Sequence, residues 1–257
     1  MKTVTVFGIE RIPLVEPGDD LGHLIFEACL KENLELLDGD VIVVSQKVVS
    51  KSEGLLYDIS KIRAGPKARS LSRRAGKDPR LIELILRDSM EVLKADRKVL
   101  VVRRRDGFIC MNAGVDKSNV GGRLTYTRLP VNADFSASQL RVKLEALSRK
   151  KLAVIVGDTY SRPQRVGQVE FAIGISGIEP IVDYRGQEDL FGYALRYKYV
   201  GFADEVAAAA ELVMGQGTER TPVAVVRGLT RVRRSSESSL SKKLLLRKHI
   251  DLFSRIS

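Results

Sequence analysis

The chain has 257 residues, 44% of them hydrophobic, which fits one large domain or two small ones with a real core. Lys and Arg number 43 against 32 Asp and Glu, and a net charge of +11 points to anionic partners: nucleic acid, an acidic membrane surface or small polyanionic substrates. Cys29 and Cys110, far apart in apolar contexts, exclude a disulfide framework and a zinc-ligand pattern, and no apolar run is long enough to span a membrane.

The first seven residues alternate as a short strand and lack the apolar stretch of a signal peptide, so a reducing cytoplasm is the expected setting. Residues 41–44 are four successive β-branched residues, the pattern of a buried strand, which ends in Ser45-Gln46-Lys47 before 48–51 continue toward Gly54. Helices are predicted over 66–75 and 79–93. Pro66 and Pro79 stand in first-turn positions, Asp78 is an N-cap, and Leu81, Leu84, Ile85 and Met90 make an apolar face. Asp106-Gly107 between 98–102 and 108–111 predicts a hairpin. Residues 121–137 read as a loop, 138–150 as a helix and 152–156 as a buried strand that delivers Asp158-Thr159.

The polar, basic stretch 160–167 reads as an exposed substrate loop. Short strands follow at 171–175 and 180–183, around Gly174 and Gly177. An alanine-rich helix over 203–214 stops at Gly215-Gln216-Gly217, and 222–226 form a last core strand. A domain over 1–230 is then followed by a basic, Ser-rich linker over 231–241. An amphipathic helix over 241–256 closes the chain, its Leu245, Leu252, Phe253 and Ile256 packing against the body or a partner subunit. Strands and helices alternate without the rhythm of a βαβ barrel, so the fold class is α+β rather than a doubly wound sheet.

Two aspartates stand out just past apolar strands, Asp116 in Asn112-Ala113-Gly114-Val115-Asp116-Lys117-Ser118-Asn119 and Asp158 in Val154-Ile155-Val156-Gly157-Asp158-Thr159. Strand-end carboxylates among Gly, Ser, Thr and Asn suit a hard divalent cation. The same contexts suit Asx turn capping, and spacing leaves both readings open. Neither GxxxxGK[ST] nor a strand-linked GxGxxG is present. A nucleotide site must therefore be built otherwise, from residues near Pro13-Leu14, from Gln46, Lys47 and Lys51, from Asn119 and from the loop 214–221. Lys47 and Lys51, four apart, can meet phosphate as point charges or stand as a solvated strand end. His23 and His249 have no nearby acid and read as packing or surface residues. No Ser-His-Asp or Cys-His arrangement is supported.

The segments Val43-Val44-Ser45-Gln46-Lys47-Val48-Val49-Ser50-Lys51-Ser52-Glu53-Gly54, 112–120, Asp158-Thr159 with Arg162-Pro163, Ala172-Ile173-Gly174-Ile175-Ser176-Gly177, Asp183-Tyr184-Arg185-Gly186, Ala203-Asp204-Glu205 and Met214-Gly215-Gln216 occur in that order. Together they resemble the coenzyme F420-0:L-glutamate ligase family. The resemblance implies an α+β fold of mixed and antiparallel sheets in two subdomains, and an intertwined homodimer. It implies a GTP-dependent amide ligase that phosphorylates the terminal carboxylate of coenzyme F420-0, so that the amine of L-glutamate attacks the acyl phosphate and γ-linked glutamate is added once or more. Divalent metal, Mg2+ or Mn2+ in two sites, and K+ as a further ion belong to the same expectation.

By that resemblance Asp116 and Asp158 hold one metal, while Thr159 and Gln216 help hold a second. Ile12, Pro13, Leu14, Val15, Gln46, Lys47, Lys51 and Asn119 would surround GTP, with Met214, Gly215, Gln216, Gly217, Thr218, Glu219, Arg220 and Thr221. No nucleophilic side chain is required. GTP, glutamate and coenzyme F420-0 are all anions, which matches the basic charge. The chain departs from the family at Gly157, where a hydroxyl residue is usual, at Lys117 and Arg11, where small residues are usual, and at Ser161, where Gly is usual. These changes bear on substrate choice more than on reaction class. Two alternatives stand beside this reading: a ligase of the same fold acting on another acidic cofactor precursor, and a basic noncatalytic nucleic-acid-binding protein. The 6% aromatic content and the absence of Trp weigh against the second.

Overall fold

A computed structural model describes residues 1–162, 164–230 and 233–246. In chain order the elements are β1 (Thr5–Ile9), α1 (Leu21–Lys31), β2 (Val41–Ser45), α2 (Gln46–Ser52), β3 (Leu56–Asp58), α3 (Pro66–Ala75), α4 (Pro79–Asp88), β4 (Ser89–Asp96), β5 (Val99–Arg104) and β6 (Ile109–Met111). Then come β7 (Thr125–Thr127), α5 (Ala133–Ser148), β8 (Ala153–Ser161), β9 (Gln168–Ile178), β10 (Val182–Asp183), β11 (Tyr199–Val200), α6 (Phe202–Met214), β12 (Val223–Arg227) and β13 (Arg234–Ser235). The class is α+β with several sheets, as expected. The chain divides into two compact units, one of Met1–Pro13, Leu21–Ser45 and Ala133–Ser257, the other of Leu14–Asp20 and Gln46–Asn132.

In the first unit a six-stranded sheet runs β1-β12-β2-β8-β9-β13. Only β2 and β8 are parallel, in register from Val41 opposite Ala153 to Ser45 opposite Gly157. Helices cover the sheet, so β2 is buried on both faces and Val41, Ile42, Val43 and Val44 are fully enclosed. Each such side chain contributes about 1.5–3 kcal/mol by leaving water. Helix α6 lays Ala203, Ala207 and Ala210 against Val41, Val43, Ile155 and Ile175, and its small side chains allow close approach. It stops where Gly215 takes φ 66° and its N–H reaches the Glu211 carbonyl at 3.0 Å.

The second unit joins a three-stranded antiparallel sheet, β4-β5-β6, to the β3-β7 pair and helices α3 and α4. Its core gathers Ile59, Leu71, Ile82, Leu84, Ile85, Leu100 and Val102. The Asp106-Gly107 hairpin forms as expected between β5 and β6.

Several expectations need correction. Helix α4 ends at Asp88, and the predicted residues up to 93 continue as strand β4, which leaves Met90 exposed instead of on the helix face. The Ser89 hydroxyl caps the Ile85 carbonyl at 2.8 Å where the helix stops. Residues 48–51, read as a continuation of the strand, belong to helix α2. The predicted loop 121–137 contains β7 and the first turn of α5, because Asp116 and Thr127 exchange backbone hydrogen bonds that pull the segment into a bridge. Residues 233–246 are not a free linker: β13 pairs with β9 and Leu240 is fully buried. The buried Asp134 carboxylate accepts from the Ser241 hydroxyl at 2.8 Å there. Residues 241–244 form a 3-10 turn rather than the start of an α-helix, and Leu252, Phe253 and Ile256 lie outside the described residues.

Candidate functional site: two oxygen-rich clusters

The second unit presents the first cluster. Helix α2 begins where the β-branched run gives way to Gln46-Lys47, and its period places Lys47 and Lys51 on one face. Gln46 is buried and accepts from the Ser50 hydroxyl at 3.1 Å. Lys47 forms an ion pair with the Asp116 carboxylate and donates to the Ser118 hydroxyl at 2.6 Å and the Ser118 carbonyl at 2.8 Å. Burial works against the Asp116 carboxylate, but hydrogen bonds from Lys47 and Ser118 outweigh it and hold the pKa below the usual carboxylate value. Burial, helped by the charge of Lys47, lowers the pKa of Lys51.

The segment leading to Asp116 is strained. Asn112 and Ala113 both take positive φ, 54° and 55°, and the Arg104 guanidinium donates to the Ala113 carbonyl at 2.9 Å. The Asn112 side-chain oxygen is buried without a hydrogen-bond partner. Neighbouring Asn119, at φ 53°, is exposed. The Lys117 backbone N–H donates to the Asp116 carboxylate at 2.6 Å, and its ammonium stands 5.9 Å from the centre of the Tyr126 ring. The unit also holds Leu14, exposed, and Val15, buried.

The second cluster belongs to the first unit. Strand β8 passes the end of β2 at Gly157 and continues as a two-stranded ribbon with β9, where Asp158 faces Phe171 across the ribbon and Thr159 faces Glu170. Asp158 and Thr159 therefore lie inside a strand rather than past its end, and as successive strand residues they project to opposite faces. Glu170 is almost wholly buried, at 2% exposure. Its backbone N–H donates to Glu211 at 2.9 Å, and its carboxylate takes a long hydrogen bond of 3.4 Å from the Gln216 amide. Burial first, then the charges of Asp158 and Glu211, push its pKa up to about 8, against the opposing pull of Gln216. Burial also raises the pKa of Asp204, whose carboxylate accepts from the Ala172 N–H at 3.0 Å.

After buried Met214, the loop of Gly215, Gln216, Gly217, Thr218, Glu219, Arg220 and Thr221 is closed on itself. Gly217 N–H donates to the Glu219 carboxylate at 2.7 Å, the Thr221 hydroxyl donates to the Glu219 carbonyl at 3.2 Å, and Arg220 sits at φ 59°. Ile12 is buried and Pro13 exposed in the segment before it enters the other unit, and the backbone of Arg11 is held by Glu32 at 2.8 Å.

The sequence profile of the family described as F420-0:Gamma-glutamyl ligase matches residues 9–228. This chain belongs to the F420-0:gamma-glutamyl ligase family. A Methanothermobacter thermautotrophicus protein named coenzyme F420:L-glutamate ligase is 41% identical over 250 residues, covering 97% of this chain and 98% of the relative. Proteins of the same name from Methanopyrus kandleri and Archaeoglobus fulgidus are 43% and 38% identical, covering 86% and 95% of this chain and 86% and 98% of their own lengths.

Within this ligase-family chain the structure brings Lys47 to Asp116 in one unit. In the other, Thr159 stands opposite Glu170 across the ribbon, Gln216 meets the Glu170 carboxylate, and Asp158, on the other face, acts on Glu170 through its charge. Among the described residues no three His, Cys, Asp or Glu side chains converge to hold a metal by themselves. A cation here needs the hydroxyl of Thr159, the amide oxygen of Gln216 or phosphate oxygens as well. All these donors are oxygens, the set that Mg2+ or Mn2+ prefers. Glu170 escaped sequence reasoning. Its only signal was an acid between Val169 and Phe171 in an apolar strand, and its neighbours are fixed by cross-strand register.

Proposed function

We propose that the protein is a GTP-dependent ligase that joins L-glutamate through a γ-linkage to coenzyme F420-0. The observation that carries this reading is the family match over residues 9–228. The names of the relatives supply the acceptor and the amino acid. In this scheme the terminal carboxylate of coenzyme F420-0 attacks the γ-phosphorus of GTP and GDP leaves. The amine of glutamate then attacks the acyl phosphate carbon, inorganic phosphate departs and the amine loses its proton.

Both steps bring anions together, so catalysis is positioning and charge neutralisation rather than attack by a protein nucleophile. Lys47 and Lys51, on one face of α2, suit the phosphates of the nucleotide, and residues of the loop 214–221 complete its surroundings. Asp116 and Asp158 are the carboxylate ligands for divalent cations, with Thr159 and Gln216 as neutral oxygen donors. Bound Mg2+ or Mn2+ would neutralise phosphate charge and align the attack. Until a phosphate draws it away, the Lys47 ammonium keeps the Asp116 charge balanced.

A homodimer fits the arm between β10 and β11, where the large side chains of Leu190, Phe191 and Tyr197 are 97%, 95% and 86% exposed and a second subunit would cover them. Titration calorimetry tests the nucleotide assignment: GTP binding should require Mg2+ or Mn2+ and disappear with chelator. Binding that is indifferent to metal but falls steeply with salt would instead favour a nucleic-acid-binding protein.

A further inference from the structure

Glu170 and Gly157 share one space. They lie on the same face of the β8-β9 ribbon, since Gly157 is opposite Ala172 and Thr159 opposite Glu170. A Cβ placed on Gly157 would sit 3.0 Å from both Cγ and Cδ of Glu170 and closer still to its Oε1. No L side chain at 157 is compatible with this arrangement of Glu170. From that position Oε2 faces the Nε2 of Gln216 at 3.4 Å, while the Glu170 backbone is pinned by Glu211 at 2.9 Å.

In either protonation state the Glu170 carboxyl keeps an oxygen that accepts from the amide nitrogen, and it is Nε2 of Gln216 that faces it in the structure. The contact therefore fixes which way the Gln216 amide faces. With Nε2 spent on Glu170, Oε1 is directed away and available to a hard cation.

We propose that Glu170 is a positioning residue: seated in the space that Gly157 leaves open, it orients the Gln216 amide so that its oxygen is presented to a divalent cation. This rests on the ligase reading above, and in particular on Gln216 as a cation ligand. Groups that orient ligands commonly change metal affinity by about 10–100-fold when removed.

The test measures Mn2+ dissociation constants by electron paramagnetic resonance in wild type, Glu170→Ala, Glu170→Gln and Gly157→Ser, with folding monitored by circular dichroism. Glu170→Ala should weaken Mn2+ about 10–100-fold. Gly157→Ser, which leaves Glu170 in the sequence but displaces it, should do the same. Glu170→Gln keeps a carbonyl acceptor for Nε2 and should restore most of the affinity, a rescue that a purely structural role or a simple loss of fold does not give. Wild-type affinity in folded Glu170→Ala or in Gly157→Ser overturns the proposal alone. Failure of the wild type to bind Mn2+, with or without GTP, overturns the metal-dependent ligase reading and this proposal with it.

Discussion

At the scale of single residues, the two aspartates have different surroundings and should fail differently. Asp158→Ala should lower turnover by about 100-fold or more, as expected when a cation loses a charged ligand. Its circular dichroism should stay native, since Asp158 is only partly buried on a two-stranded ribbon. Full activity in that variant would remove the metal assignment. Lys47→Met should raise the KM for GTP about 10–100-fold, the equivalent of one hydrogen bond to a charged group. Its kcat should change less, and steady-state kinetics separate the two.

Glu170 sets a pH dependence. Its pKa rises from the usual 4.5 to about 8, so in the metal-free native protein it holds a proton that the unfolded chain has already released. Stability should therefore fall as pH rises from about 4.5 to about 8, by an amount on the order of a few kcal/mol. Thermal unfolding in chelator should show this slope, and Glu170→Gln should flatten it. An unchanged slope in that variant would place the titration elsewhere.

At the scale of elements, the sequence was most legible where one local pattern decides the outcome. Four β-branched residues made β2, Asp106-Gly107 made the β5-β6 turn, and Asp78-Pro79 started α4, with Asp78 accepting from the Arg80 N–H at 2.8 Å. It was least legible where distant partners decide. The apolar spacing through residue 93 fits a helix, yet Ser89–Asp96 is recruited as a strand by β5. The three residues of β7 are too few to carry a pattern and are held by β3. Asp116 and Asp158 were visible as candidates, but not that one is held by a lysine and the other lies within a ribbon. Glu170 was invisible for the same reason as β7.

The packing of α5 on β9 offers a test at this scale. A Cβ on Gly174 would meet the Ala133 backbone, with the Ala133 Cβ only 2.7 Å away. Backbone cannot swing aside as a side chain can, so Gly174→Ala should cost about 1–3 kcal/mol or more in urea unfolding. A variant as stable as wild type would show that α5 shifts freely on the sheet.

At the scale of the whole molecule, the excess charge of +11 and the exposed aromatic arm are the features that no single site absorbs. If the arm forms a subunit interface, replacing Leu190, Phe191 and Tyr197 with Ser should convert a dimer to a monomer in sedimentation velocity. A wild type that sediments as a monomer would remove the dimer from the account. The most direct measurement is incubation of the protein with GTP, Mg2+ or Mn2+, L-glutamate and coenzyme F420-0, read by mass spectrometry. The account predicts coenzyme heavier by one or more glutamate residues, with GDP formed and the gain lost when GTP or metal is left out; coenzyme of unchanged mass with folded protein would contradict it.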